Sequence, residues 1–183
     1  HFSQFHQIIE TYDVGTIVMR TIEYEDRRYA EIKKAKANDS DSKRKIKIMM
    51  EKQEKLLYVC FHILLNLAED INAELQMKKQ KLLPYLWKNL ERKNVDLLIL
   101  TVTFLKKLSI FQENKNEMIR SGIVKRLFPI MEHKNETLVN ETLRLLLNLS
   151  FDSEMRKKII DAVEITPEET RNFFKSIPQD ELP

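Results

Sequence analysis

The chain has 183 residues, and its 31 basic and 28 acidic residues leave a net charge of +3. That near-balance supplies no field to draw nucleic acid. Only Gly15 and Gly122 occur, against an ordinary share of about 7%, so neither the dinucleotide fingerprint nor a P-loop can be built, since both need clustered glycines.

Residues 2–32 read as two helices, the first with Phe2, Phe5, Ile8, Ile9 and Tyr12 on one face and Gly15 as its expected break. Residues 33–45, with Asn38-Asp39-Ser40-Asp41-Ser42, read as a charged exposed loop. A long helix is expected from about Lys43 into Leu67, with Ile46, Met50, Gln53, Leu57 and Cys60 along one side. Leu82, Leu83, Leu86 and Leu90 fall at helical spacing and predict a short amphipathic helix. Pro84 is tolerable in its first turn. Leu97–Leu108 and Leu138–Leu149 are nearly all apolar, as is Leu56–Leu67. A helix apolar all round is expected to be buried. Gly122 suits a tight turn before a helix, and Pro129 predicts a kink or early end to that helix. Thr166-Pro167-Glu168-Glu169 has the form of a capping box, opening a short helix to about Ser176 that would bury Phe173 and Phe174. Pro178 and Pro183 suggest a frayed tail.

The chain repeats itself. Leu67, Leu108 and Leu149 are 41 residues apart, each closing a similar segment. Leu82 falls on Ile123, Leu83 on Val124, Leu86 on Leu127, Leu90 on Met131, and Lys93-Asn94 on Lys134-Asn135. A period of this length marks armadillo or HEAT arrays, in which neighbouring units bury what one unit cannot. The fold class is therefore all-α, an armadillo-type helical repeat superhelix, short and incomplete. Its expected divisions are N-terminal helices over 1–32, the charged loop over 33–45, repeats over 46–163, and a divergent C-terminal helix and tail over 164–183. Glu164 stands where the frame predicts an apolar residue, so the third repeat breaks off there.

Residues suited to chemistry are sparse. His1, His6, His62 and His133 have no second ligand at metal spacing, and a zinc site needs about four. Neither a metal nor another cofactor is expected. Cys60 lies inside an apolar run with no cation beside it in sequence, which makes it a small hydrophobe; alone, it excludes an internal disulfide framework and fits a reducing compartment. The carboxylates are scattered on polar faces without an acid–base pairing. No small-molecule substrate and no catalytic residue is assigned, and the chain reads as a binding module. No secretory signal opens it, and the apolar runs are too short to span a bilayer. Beginning at His1 and not Met, it is expected to be a fragment. Four Asn-x-Ser/Thr triplets, at Asn38, Asn135, Asn140 and Asn148, read as chance without a signal peptide. The clusters Lys43-Arg44-Lys45-x-Lys47 and Lys78-Lys79-x-Lys81 read as solvated faces, since acidic residues are interspersed.

One column of residues is more specific. In an armadillo array the last helix of each unit lines the groove. Asn66, Lys107 and Asn148 share one place on these helices, and His62, Thr103 and Arg144 lie one turn earlier. Polar residues recurring on apolar helices suggest a wet, partner-facing groove. Helix-end capping or hydrogen bonding between repeats would account for them equally well.

Longer blocks carry a closer resemblance. Gln4-Phe5-His6-Gln7-Ile8-Ile9-Glu10, Lys52-Gln53-Glu54-x-Leu56-Leu57 and Leu64-Leu65-Asn66-Leu67-Ala68-Glu69-Asp70 resemble the kinesin-associated protein family. So do Phe104-Leu105-Lys106-Lys107-Leu108-Ser109-Ile110-Phe111-x-Glu113-Asn114-Lys115-Asn116 and Thr142-Leu143-Arg144-Leu145-Leu146-Leu147-Asn148-Leu149-Ser150-Phe151-Asp152. The resemblance covers most of residues 4–163 and stops near Val163. It implies the non-motor subunit of heterotrimeric kinesin-II, partnered by the kinesin-II motor subunits and cargo proteins and working in intraflagellar transport. It implies a cytoplasmic, cytoskeleton-associated and ciliary location, without catalysis, nucleic acid or membrane insertion. The alternative is an armadillo peptide-binding scaffold of another kind, such as a nuclear-import or cell-adhesion adaptor. Import receptors resemble a ladder of Trp one turn before each groove Asn. Here those places hold His62, Thr103 and Arg144, and Trp87 lies elsewhere.

Overall fold

The computed structural model describes residues 13–34, 40–68 and 81–163. Eight helices and no strand occur among them: α1 (Val14–Lys34), α2 (Ser40–Leu67), α3 (Leu82–Asn89), α4 (Val95–Leu108), α5 (Gln112–Ser121), α6 (Ile123–Met131), α7 (Glu136–Ser150) and α8 (Ser153–Val163). The chain divides in sequence into two compact units between Tyr85 and Leu86.

In the first unit α1 packs against α2. Val18, Met19 and Ile22 of α1 are buried, as are Leu57, Cys60, Phe61, Leu64 and Leu67 of α2. One polar link sits in this apolar seam. The Gln53 amide donates at 2.8 Å both to the Glu25 carboxylate and to the Glu25 carbonyl, so both buried side chains are satisfied. The expected loop over 33–45 is helical at both margins, since α1 runs to Lys34 and α2 starts at Ser40. Lys43, Arg44 and Lys45 are good helix formers whose charges face water, so polarity alone does not make a loop of them. Asp13 takes a left-handed φ of 48° just before α1, and Gly15, where a break was expected, lies in the first turn of that helix. The proposed helix over residues 2–12 and the C-terminal helix lie outside the described residues.

Two copies of the repeat occupy the second unit, except that α3 begins just before it in sequence, at Leu82. Helices α3, α4 and α5 start 41 residues before α6, α7 and α8. The equivalence extends to single hydrogen bonds. Asn94 and Asn135, both extended at the N-cap, accept from the backbone N–H of Leu97 and Leu138 at 3.0 and 2.9 Å. The buried hydroxyls of Thr101 and Thr142 donate to the carbonyls of the same two leucines at 2.7 and 2.8 Å. Gly122 adopts φ 66°, ψ 35°, closing α5 and opening α6 in the left-handed conformation that a glycine adopts without penalty. Pro129 lies inside α6, which continues to Met131, one residue further in the repeat frame than its counterpart α3, so the early end expected of that proline does not occur.

Helix α7 is the hub of this unit, packing against α4, α6 and α8. Leu97, Val102, Phe104, Leu105, Leu127, Leu138, Leu145 and Leu149 are fully inaccessible. Each such side chain contributes about 1.5–3 kcal/mol on burial, which is how helices this short hold together. The expectation of all-round burial suits α4 best. In α7, Arg144 and Leu147 stay exposed, and in α2 Leu56 and Val59 do. Their apolar runs mix a core stripe with an outward one, which composition alone cannot separate. The architecture is an all-α armadillo-type repeat array.

Candidate partner-binding face

Helices α4 and α7 build one face. Asn94 and Asn135 cap them at equivalent positions, so residues 41 apart hold the same place along the two helices. The outward stripe of α4 carries Thr103, Lys106 and Lys107, and that of α7 carries Glu141, Arg144 and Asn148. Positions three and four apart lie together on a helix surface, which aligns each trio.

Glu141 organises this surface. Its carboxylate, 15% exposed, pairs with the Lys106 ammonium at 2.5 Å and with Arg144 Nη1 at 3.2 Å. The Thr103 hydroxyl donates to the same carboxylate at 3.4 Å. Burial by itself would raise the Glu141 pKa. The Lys106 hydrogen bond and charge, the Arg144 charge and the Thr103 hydroxyl outweigh it and hold the group below the usual carboxylate range. Asn148 reaches back to α4, with its amide 3.5 Å from the Lys106 carbonyl and 3.4 Å from Ser109 Oγ. These are long bonds that orient the amide without locking it. Lys107 is half-buried and makes no ion pair with a described residue.

Of the six residues singled out from sequence, the structure joins Thr103 and Arg144 through Glu141, and it places Lys107 and Asn148 on the adjoining turn. His62 and Asn66 belong to the first unit. Both are exposed, their side chains lie 3.3 Å apart, and the Tyr58 ring meets His62 edge-on at 6.0 Å. Asn148 and Thr103 therefore make bonds between repeats. Arg144, with its side chain 68% exposed, stays open to solvent beyond its contact with Glu141. Glu141, Lys106 and Ser109 were missed. The available signal was the repeat itself, because Glu141 stands where the preceding unit has Leu100, and a charge in a leucine's place needs a partner.

The rest of the structure offers little to chemistry. Among the described residues no group of three or more His, Cys, Asp or Glu side chains is placed to hold a metal ion. Burial, with the nearby Glu25 charge, pushes the Cys60 thiol up, away from the reactive thiolate. Asp152 caps α8 through the Met155 N–H at 2.9 Å. That bond leads the causes holding its carboxyl below the usual range against partial burial, with help from Gln112, the Glu154 N–H and Lys115. No described helix is long and apolar enough to cross a membrane.

A family model described as Kinesin-associated protein (KAP) matches residues 1–170. The similarity thus runs past Val163, where the residue blocks alone had ended it, and it takes in the residues before Gln4.

Proposed function

The chain belongs to the kinesin-associated protein family, and on that footing we propose that it is a non-enzymatic accessory subunit of heterotrimeric kinesin-II. In this reading it holds the tails of the motor chains and links them to cargo for microtubule-based transport, including intraflagellar transport. It would act in the cytoplasm, on the cytoskeleton and in cilia. The observation that carries the reading is the family match, which supports a kinesin-associated adaptor role in general. The polar face of α4 and α7 supports it from the structural side. Thr103, Lys107, Arg144 and Asn148 there, with His62 and Asn66 of the first unit, are the residues proposed to meet the partner.

Capture of the two motor tails by the immobilised chain tests this. The expected result is retention of the tails by the wild-type chain and weakened retention by Asn148→Ala combined with Arg144→Glu. The helical melt should be nearly unchanged, because Arg144 is exposed and the Asn148 bonds are long. Tails that wash off the folded wild-type chain would sink the kinesin reading.

A further inference from the structure

The rim where α4 ends beside α7 carries side chains that neither the core nor the Glu141 cluster uses. Ile110 is 69% exposed, Leu147 47%, Phe111 46% and Phe151 46%. Ile110 and Phe151 hold the same place in successive repeats. Two hydrogen bonds bracket them and tie the two segments side by side: Asn148 to Ser109 Oγ, and the Gln112 amide to Asp152 at 2.7 Å. Leu147 of α7 and its C-cap residue Phe151, which keeps a helical backbone, are one turn apart, so they share a face. At the end of α4 and within α7 a cation precedes an exposed apolar residue by three positions, Lys107 before Ile110 and Arg144 before Leu147.

Cations outnumber carboxylates in this region. Lys106, Lys107 and Arg144 face Glu141, which engages Lys106 most closely, and at the rim Asp152 is held by Gln112 with the Lys115 charge nearby. The other acidic residues of the two helices, Asp96 and Glu136, lie in their first turns, at the opposite ends from the apolar rim. The negative end of each helix dipole offsets the cations only in part, being worth about half a charge. Arg144 keeps further guanidinium donors beyond the one given to Glu141.

We infer that this rim binds an acidic peptide segment that also carries apolar side chains. Its carboxylates pair with Lys107 and Arg144 while its apolar residues cover Ile110, Leu147 and Phe151. The inference rests on the reading of α4 and α7 as a partner-facing surface, and it adds the chemistry of the partner.

The test is fluorescence anisotropy of the whole chain with a labelled synthetic peptide in which glutamates are interspersed with leucines. One control peptide has glutamine for glutamate, and another has serine for leucine. The expected result is binding that weakens with salt and drops on either peptide change. It should also fall about tenfold for each of Lys107→Glu, Arg144→Glu and Ile110→Ser, as loss of a charge pair or an apolar anchor predicts. Arg144→Gln removes the cation without setting a second carboxylate beside Glu141, and circular dichroism confirms that each variant folds. Equal binding of the glutamine peptide, or unchanged affinity in folded variants, would overturn the inference. So would self-association of the chain abolished by Ile110→Ser, which would make a second copy the occupant. Motor tails held as tightly by Lys107→Glu and Arg144→Glu as by wild type would overturn the inference and leave the kinesin reading standing. Peptide binding with the expected losses but no capture of the tails would do the reverse.

Discussion

Replacing Asn94 or Asn135 by alanine tests whether the two repeats are physically equivalent. Each side chain accepts one otherwise orphaned N–H at the start of a core helix, at 3.0 and 2.9 Å, in a part-buried setting. Alanine removes the acceptor and leaves the N–H of Leu97 or Leu138 without it, at a cost of about 1 kcal/mol, reaching about 2 where water cannot replace the bond. Glycine at either position loses the same side chain but gives up only a few tenths of a kcal/mol, since water reaches the open N–H and glycine takes the N-cap conformation readily. Aspartate keeps the acceptor and adds favourable charge at the positive end of the helix. The expected order is therefore aspartate at least equal to wild type, glycine slightly below it, and alanine lowest, with the same order at both sites. Urea denaturation followed by circular dichroism measures it. An alanine effect near zero would refute the capping assignment, as would glycine costing as much as alanine. Effects at the two sites differing by more than about 1 kcal/mol would refute the equivalence drawn from the 41-residue period.

Glu141 supplies a pH-dependent counterpart. Its folded pKa lies below its unfolded value, so its stabilisation is present above the unfolded pKa and is lost as pH falls through the folded one. Glu141→Gln is thus expected to destabilise by about 1–2 kcal/mol at neutral pH and by progressively less in acid, which urea midpoints taken across acidic pH would follow; a gap independent of pH would contradict the assignment. Gly122→Ala is expected to cost about 1–2 kcal/mol from the left-handed backbone alone, because a Cβ at φ +66° meets nothing within 4 Å. Gly122→Asn should recover part of that in thermal melts, and a much larger alanine penalty would point to a steric clash the structure does not contain.

The fold was legible because the repeat is written in core positions. Leu97, Leu105 and Leu108 recur as Leu138, Leu146 and Leu149, and leucines at helical spacing have one efficient use. Boundaries were less legible. The run Ser42-Lys43-Arg44-Lys45 looks like a loop by polarity, yet its charges lie on the exposed turns of α2. Propensity favours helix there while polarity suggests loop, and packing further along the helix decides. The face between α4 and α7 was half legible. Arg144 and Thr103 were chosen from their spacing, but the group that unites them, Glu141, shows in sequence only as a charge in the place of Leu100, with nothing to name its partner. Its role depends on Lys106, on another helix, coming within 2.5 Å. No local pattern encodes a distance between helices.

The two repeats also serve as an internal comparison, and their differences separate architecture from recognition. Where a side chain bonds the backbone of its own helix end or first turns, the residue recurs: Asn94 with Asn135, Thr101 with Thr142, Ser109 with Ser150. Where it faces outward the residue changes: Ile99 becomes Asn140, Thr103 becomes Arg144, Lys106 becomes Leu147 and Lys107 becomes Asn148. A groove that bound a uniform backbone in the same way at every step would recur on this stripe as faithfully as the caps do. This one instead alternates charge, amide and hydrocarbon from one unit to the next. On the proposed reading such a surface would discriminate by side chain, because each unit would meet a different part of the partner, and a segment shifted by one unit would set its carboxylates against Asn148 or Thr103 and its apolar groups against Lys106. The cost of that mismatch, an unpaired charge on one side and a covered cation on the other, would give a short array directional selectivity that its uniform core cannot supply.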